Sequence, residues 1–398
     1  MTHQLRIAIV YDRVFPASYG GVERWFGVLA EALAGAGHRV TYLTTDHWPD
    51  GSPPVIPGVE IIPLAKTSRI YTGRRRRVVP VVTFGAAVSR FLVRHGTSFD
   101  VVHSTAMSPL AAQAVVTLAT ARGYVPVLDW WEVWGRPGWN SYLGLAAGSL
   151  AARLERRLAR SSHLPLVYSE LHRRRLATVR GSSDALFISG VLPPHSLPPH
   201  ASSARPFILL ANRLIPEKQT AAILPALRLA RQVQPSLEAI IVGSGPLEAQ
   251  LRSEIARAGL DDSVTLCKNL SDDELATLMG SALCLAVLSR REGYGLVALE
   301  AMCHGTPALI LDHPDSAATE RIAEGENGLL VPSLNAEVLA SAILSLHASG
   351  TSIRERTLAW RIRRDRELTI HHSLPDLVSR YRQGLSERRK GWWRSARP

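Results

Sequence analysis

Short apolar runs and amphipathic helical stretches alternate along the whole 398-residue chain, and the alternation starts again near its middle. Residues 7–11, 40–44, 59–63, 101–103, 125–128 and 164–168 read as strands, with helical segments such as 21–36, 81–95 and 147–160 between them. Further strands at 207–211, 239–242, 264–267, 283–288, 308–311 and 329–331 alternate with helices at 219–233, 246–258, 271–280, 296–304 and 336–348. Consecutive parallel strands need a crossover long enough to hold a helix, so this pattern dictates parallel sheets with right-handed connections. The chain also exceeds the size of one hydrophobic core. The expected fold class is therefore α/β, with two Rossmann-like doubly wound domains in tandem. The stretch 192–206, with five prolines, holds neither helix nor ladder and reads as the linker. It separates an N-terminal domain (1–191) from a second domain (207–352), and a helical segment with a basic tail (353–398) follows. The carboxyl ends of both sets of strands are expected to face each other across a cleft.

Composition narrows the classes. An apolar share of 46% with 6% aromatics is globular and carries no disorder signature. The cysteines, Cys267, Cys284 and Cys303, form no CxxC pair and no disulfide framework, which suits a reducing compartment. No stretch is long enough to span a bilayer, and residues 1–10 pass straight into a first strand without the form of a secretory signal. A cytoplasmic protein is expected. The net charge of +12 is uneven: residues 1–200 carry 22 Lys/Arg against 12 Asp/Glu, residues 201–352 carry 11 against 17, and residues 353–398 carry 13 against 5.

The richest segment is Ser289-Arg-Arg-Glu-Gly-Tyr-Gly-Leu-Val-Ala-Leu-Glu300-Ala-Met-Cys-His-Gly-Thr-Pro307. It reads as strand, tight loop and helix N-terminus. Unpaired backbone N–H groups there suit a phosphate, and Gly293 and Gly295 keep Cβ atoms out of a ligand's way. Glu292 at the loop edge and Glu300 one turn into the helix can accept hydrogen bonds from hydroxyls. Phosphate plus polyol describes a sugar nucleotide. Arg213 and Lys218, after the first strand of the same domain, can clamp a pyrophosphate. Gly243 and Gly245, after the next strand, open a turn to a base or phosphate.

Asn212-Arg-Leu-Ile-Pro-Glu-Lys218, Ile241-Val-Gly-Ser-Gly-Pro246 and the 289–307 segment resemble, in order and spacing, the C-terminal domain of GT-B glycosyltransferases of family 4, a retaining family. Glu292 and Glu300 fit its E-x7-E motif. The first domain is similar too, through Gly20-Gly-Val-Glu23, Ala36-Gly-His-Arg-Val40 and Phe99-Asp-Val-Val-His103. The resemblance implies that Glu300 holds the donor ribose and Glu292 the transferred sugar. It places backbone N–H groups near Gly295 and Leu296 on the phosphate or sugar, Arg213 and Lys218 on the pyrophosphate, and the Gly20-Gly21 loop over the phosphates or acceptor. Asn212 and Asn269 stand where the family usually has glycine, and both tolerate left-handed backbone. The family often has a histidine after a central strand of the first domain. Here that place reads Leu128-Asp-Trp-Trp-Glu-Val-Trp-Gly135. Asp129, Glu132 and His103 are the acceptor-side candidates. The tryptophans suit a stacking platform, a lipid-facing edge or plain packing. The segment 312–320 follows a strand end and is expected to border the nucleotide or sugar pocket. No Asp-x-Asp motif is present, no metal or other cofactor is expected, and the nucleoside-diphosphate-sugar is a substrate.

The basic segments 66–77 and 388–398 place Arg clusters beside Tyr or Trp, which suits an anionic membrane surface. No nucleic-acid motif accompanies them. The resemblance implies that the C-terminal helical segment, 353–398, returns to the first domain, which puts both basic segments on one side. The sequence thus implies a sugar transferase acting on a lipid-linked or cell-surface glycan at the inner membrane face. An epimerase or phosphorylase of the same fold and a non-catalytic sugar-nucleotide-binding membrane scaffold are the alternatives.

Overall fold

A computed structural model describes residues 4–48, 51–66, 71–72, 75–76, 78–193, 206–268 and 270–390. The chain divides into two compact units, 1–194 with 366–398, and 195–365. The first contains strands β1 (Arg6–Val10), β2 (Arg39–Asp46), β3 (Val59–Lys66), β4 (Tyr71–Thr72), β5 (Arg75–Arg76), β6 (Val101–Thr105), β7 (Val125–Trp130), β8 (Leu164–Val167) and β9 (Leu186–Phe187). Its helices are α1 (Gly21–Gly35), α2 (Val79–His95), α3 (Pro109–Arg122), α4 (Gly135–Leu143), α5 (Leu145–Arg160) and α6 (Glu170–Arg180). The second contains β10 (Phe207–Ala211), β11 (Glu238–Val242), β12 (Val264–Cys267), β13 (Cys284–Val287), β14 (Ala308–Leu311) and β15 (Gly328–Val331). Helices α7 (Ile223–Val233), α8 (Glu248–Ala258), α9 (Asp272–Ser281), α10 (Leu296–Cys303) and α11 (Ala336–Leu368) connect and follow these strands, and α12 (Ile370–Arg389) comes after.

Unit 1 forms a seven-stranded sheet in the order β3-β2-β1-β6-β7-β8-β9, and unit 2 a six-stranded one in the order β12-β11-β10-β13-β14-β15. All pairings in both are parallel. Central strands covered on both faces read as mostly apolar runs, and β6, β7, β13 and β14 are buried at every position, with His103, Ser104, Thr105 and Asp129 the polar residues among them. In each sheet the chain lays strands outward on one side, then returns to the middle. β1 and β6 therefore meet in the first sheet, and β10 and β13 in the second. Loops leaving such adjacent strands diverge and leave a crevice at their carboxyl ends.

Two helices differ from expectation. The helix expected from residue 219 starts at Ile223, because Pro216–Lys218 makes a short 3-10 turn and Gln219 turns left-handed with φ 48°. The helix expected to end at 348 runs on to Leu368 across a break at Gly350 (φ 54°, ψ −130°). Residues 353–365 thus stay with unit 2. There Arg354 donates to the carbonyls of Ala282 (2.7 Å) and Gly280 and to Thr306 Oγ1 (3.0 Å), capping carbonyls at the end of α9.

The chain joins unit 1 again where the N–H groups of Val191 and Leu192 both donate to Leu368 O at 3.0 Å. From there α12 packs on α1 and β7. Most of the linker (194–205), much of the basic segment 66–77, Asn269 and the tail 391–398 lie outside the described residues.

Candidate functional site

The central crevice of the second sheet gathers the residues the sequence singled out there. β13 ends at Val287 and the chain crosses to α10 through Ser289–Gly295. Gly295 takes φ 84° and ψ 38° as the residue before the helix. A Cβ at this position would lie 2.8 Å from the Ala318 Cβ and 3.0 Å from its Cα. Glycine is therefore required twice, by the backbone angle and by the close approach of the loop after β14. That loop also fixes Glu292. Its N–H donates to Asp315 O (3.3 Å) and its carbonyl accepts from Ala317 N (2.7 Å). Buried Tyr294 sits under the Arg321 guanidinium, 4.6 Å from the ring centre.

Lys218 comes from the loop after β10, the neighbour of β13. Its Nζ donates to Glu292 Oε2 at 2.6 Å, and both side chains are 18% exposed. An ion pair this sheltered is charge-assisted and geometrically fixed. Arg213 stands exposed on the same loop, and Glu300 lies half-buried one turn into α10. Gly243 and Gly245 also have a packing role. Cβ atoms there would lie 1.9 Å from Asn212 O and 2.4 Å from Leu214 O, so the two glycines seat the Arg213 loop against the start of α8. Asn212 keeps its own role by accepting from Thr220 Oγ1 at 2.9 Å.

In unit 1, Gly20 and Gly21 open α1. The Glu23 carboxylate folds back onto Gly20, within 2.3 Å of where a Cβ would be. The positive end of α1 already carries an anion of its own. His103 and Asp129 have no exposed surface and face each other, Nε2 to Oδ1, at 2.6 Å. Trp25 Nε1–H donates to Asp129 Oδ2 (2.8 Å), and Tyr381 Oη lies 2.7 Å from His103 Nδ1. Burial, followed by the Asp129 charge, pushes the Tyr381 phenol well above its usual pKa. These two acceptor-side candidates are thus enclosed, and Glu132 alone of the three keeps exposed surface while accepting from Trp134 Nε1. Trp130 and Trp131 are packing residues: Trp131 stacks on Tyr168 with ring centres 3.6 Å apart and planes at 7°.

Sequence reasoning did not select Trp25, Tyr381 or Glu155. The first two sit on helix faces whose partners are distant in sequence, and nothing local marks them. Glu155 is the lone acid among the arginines of α5, a usable signal, and it accepts the N–H groups of Trp134 (3.0 Å) and Gly135 (2.8 Å). Among the described residues no group of three or more His, Cys, Asp or Glu is placed to hold a metal ion, and no helix is long and apolar enough to cross a membrane.

Two parallel-sheet units, one with a cation–carboxylate pair beside a helix N-terminus at its central crevice, define an α/β protein of the doubly wound class. Comparison with known proteins gives the class a family. Residues 198–358 match the family model for glycosyl transferases group 1, and residues 20–187 that for the glycosyl transferase 4-like domain. The chain belongs to the glycosyltransferases of this family, with the GT-B fold.

Over 352 residues it is 25% identical to a GDP-mannose-dependent alpha-(1-6)-phosphatidylinositol monomannoside mannosyltransferase of Mycobacterium tuberculosis, covering 83% of this chain and 86% of that protein. It is 34% identical over 163 residues to an exopolysaccharide phosphotransferase of Streptomyces coelicolor, covering 40% of this chain. That match spans 17% of the Streptomyces protein, and the matches to two further curated relatives, a D-inositol 3-phosphate glycosyltransferase of Jonesia denitrificans and an amylovoran biosynthesis glycosyltransferase of Erwinia amylovora, span 42% and 41% of their length. The fold matches sucrose-phosphate synthase from Thermosynechococcus elongatus with a TM-score of 0.79 at 21% identity, over 96% of this chain and 99% of that one.

Proposed function

We propose that the chain is a retaining glycosyltransferase that moves a hexosyl group from a nucleoside-diphosphate-sugar to an acceptor hydroxyl. The observation that carries this reading is the 2.6 Å pair of Lys218 and Glu292 at the sheet's central crevice, beside the N-terminus of α10. In this reading the donor pyrophosphate takes Lys218, with Arg213 and the N–H groups of Gly295 and Leu296 meeting the rest of its charge. Glu292, released from the lysine, accepts from the sugar hydroxyls, and Glu300 from the ribose. As the bond between the anomeric carbon and the phosphate oxygen breaks, the acceptor oxygen bonds that carbon from the same face, and its proton passes to the departing diphosphate. Charge building on the leaving group is where fixed donors act most strongly. The scheme assigns that charge to side chains and a helix end and calls on no divalent ion.

The acceptor in this reading is a lipid-linked or cell-surface glycan at an anionic membrane surface, supported by the basic segments at 66–77 and 388–398. The Mycobacterium relative, whose name specifies GDP-mannose and a phosphatidylinositol mannoside, makes GDP-mannose the first donor to try beside UDP-glucose. Glu292→Ala is expected to lower transfer by about a hundredfold or more while the nucleoside diphosphate still stabilises the protein to heat. Unchanged turnover in that variant would sink the assignment. Donor binding without turnover, across a panel of acceptors, would favour the non-catalytic scaffold.

A further inference from the structure

The hairpin of α4 and α5 is closely built on its inner side and open on its outer one. The two helices approach so closely that a Cβ at Gly148 would lie 2.5 Å from Trp139 O. Trp134 packs against Trp139 and Tyr142 with ring centres 4.6 and 5.2 Å away. Glu155 turns inward to hold the first N–H groups of the hairpin.

On α5, Ala146, Ala147, Leu150, Arg153, Leu154 and Arg157 recur at three- and four-residue spacing and so share one face. All six are exposed. Leu143 and Leu145 extend this face at the tip, and the four leucines are exposed by 43–79%. A face of leucines left in water is unfavourable unless something covers it. Its charge says what. Arg136 and Arg156 are also exposed, and Glu155 is the only acid in residues 133–160. A second copy of the chain would set arginine against arginine. An anionic bilayer takes leucines into the acyl boundary and leaves arginine heads at the phosphates, with their stems along the apolar layer.

We infer that the outer face of α5, with the leucines of the hairpin tip, docks on an anionic phospholipid surface. The inference rests on the reading of the acceptor as membrane-borne and adds the element that makes the apolar contact.

The test titrates the full chain with vesicles of phosphatidylcholine and phosphatidylglycerol at low and high salt, beside two double variants. Leu150→Ser with Leu154→Ser is expected to weaken vesicle binding about tenfold at both salts. Arg153→Gln with Arg157→Gln is expected to weaken it about tenfold at low salt and to flatten the salt dependence. Both variants keep the wild-type melting temperature and its rise with nucleoside diphosphate. Vesicle binding equal to wild type in both variants overturns the hairpin assignment and leaves the membrane reading standing on the basic segments. A wild-type chain that ignores the vesicles overturns both. A dimer in sedimentation that the leucine variant alone abolishes, with vesicle binding intact, gives the face to a second copy and likewise overturns the inference.

Discussion

Glu292 and Lys218 stand 74 positions apart in sequence and 2.6 Å apart in space, and the backbone around them decides that distance. Gly295 is the position on which the loop turns. Two glycines separate the causes of its conformation. Gly259 also has positive φ (66°) but nothing within 4 Å of a Cβ, whereas at Gly295 (φ 84°) a Cβ would overlap Ala318. Gly259→Ala is therefore expected to cost only the left-handed penalty, about 1–2 kcal/mol. Gly295→Ala should cost more, about 3 kcal/mol or above, and should weaken nucleotide-induced stabilisation as the Glu292 loop shifts. Urea unfolding of the two variants checks the order; equal losses would show that the Ala318 contact gives way freely. The carboxylates and glycines of this loop were legible from residue type alone. The use of Gly243 and Gly245 was not, because the Asn212 and Leu214 carbonyls that fill their Cβ positions come from another loop.

At the scale of elements, the strands and most helices were legible because hydrophobic spacing records which face is buried. What escaped is set by contacts between elements, such as the left-handed Gln219 that delays α7. The buried junction of β7, β8 and α5 is another case. His163 precedes β8, accepts from Trp130 Nε1 at 3.1 Å through Nε2, and has its Nδ1 2.9 Å from Ser161 O. A neutral ring bearing its proton on Nδ1 satisfies both contacts, and a proton on Nε2 would confront the indole N–H. Burial, with the Arg180 charge after it, drops the His163 pKa to about 3.

The folded pKa lies below the unfolded one, so this group's stabilisation is full above about pH 6.5 and is lost as pH falls from there toward about 3. By pH 5 the loss is about 2 kcal/mol, and it depends only on the folded value being well below 5. Replacing the ring by an amide that can still accept from Trp130, His163→Gln, is expected to remove that part of the pH dependence. Urea titrations of both proteins at pH 7.5 and 5 give the comparison, and parallel losses would place the acid sensitivity elsewhere.

On the scale of the whole molecule, the order of the chain and the order of folding units part company. A large core cluster of unit 2 is assembled from residues between Ile208 and Ile353. Unit 1 needs a segment that follows unit 2 in the chain: Ile370, Leu377 and Tyr381 of α12 are fully buried, and Gly384 lies so close to Val125 that a Cβ would be 3.0 Å from its Cγ1. The periodicity of residues 370–389 marks a helix and the family resemblance implies its return to the first domain, but neither names the residues it meets, which the Tyr381–His103 contact supplies.

A fragment of residues 206–365 is accordingly expected to unfold cooperatively on its own. A fragment of residues 1–193 should lack a cooperative transition until a separate peptide of residues 366–390 is added, because β7 and the buried His103 would otherwise be left uncovered. Within the full chain, Tyr381→Phe leaves one imidazole nitrogen without its partner and should cost about 1–3 kcal/mol. Circular dichroism during urea titration follows all three cases. If the 1–193 fragment unfolded with the same midpoint with and without the peptide, α12 would be a passenger on unit 1 and the buried Tyr381–His103–Asp129 chain would contribute nothing to holding it.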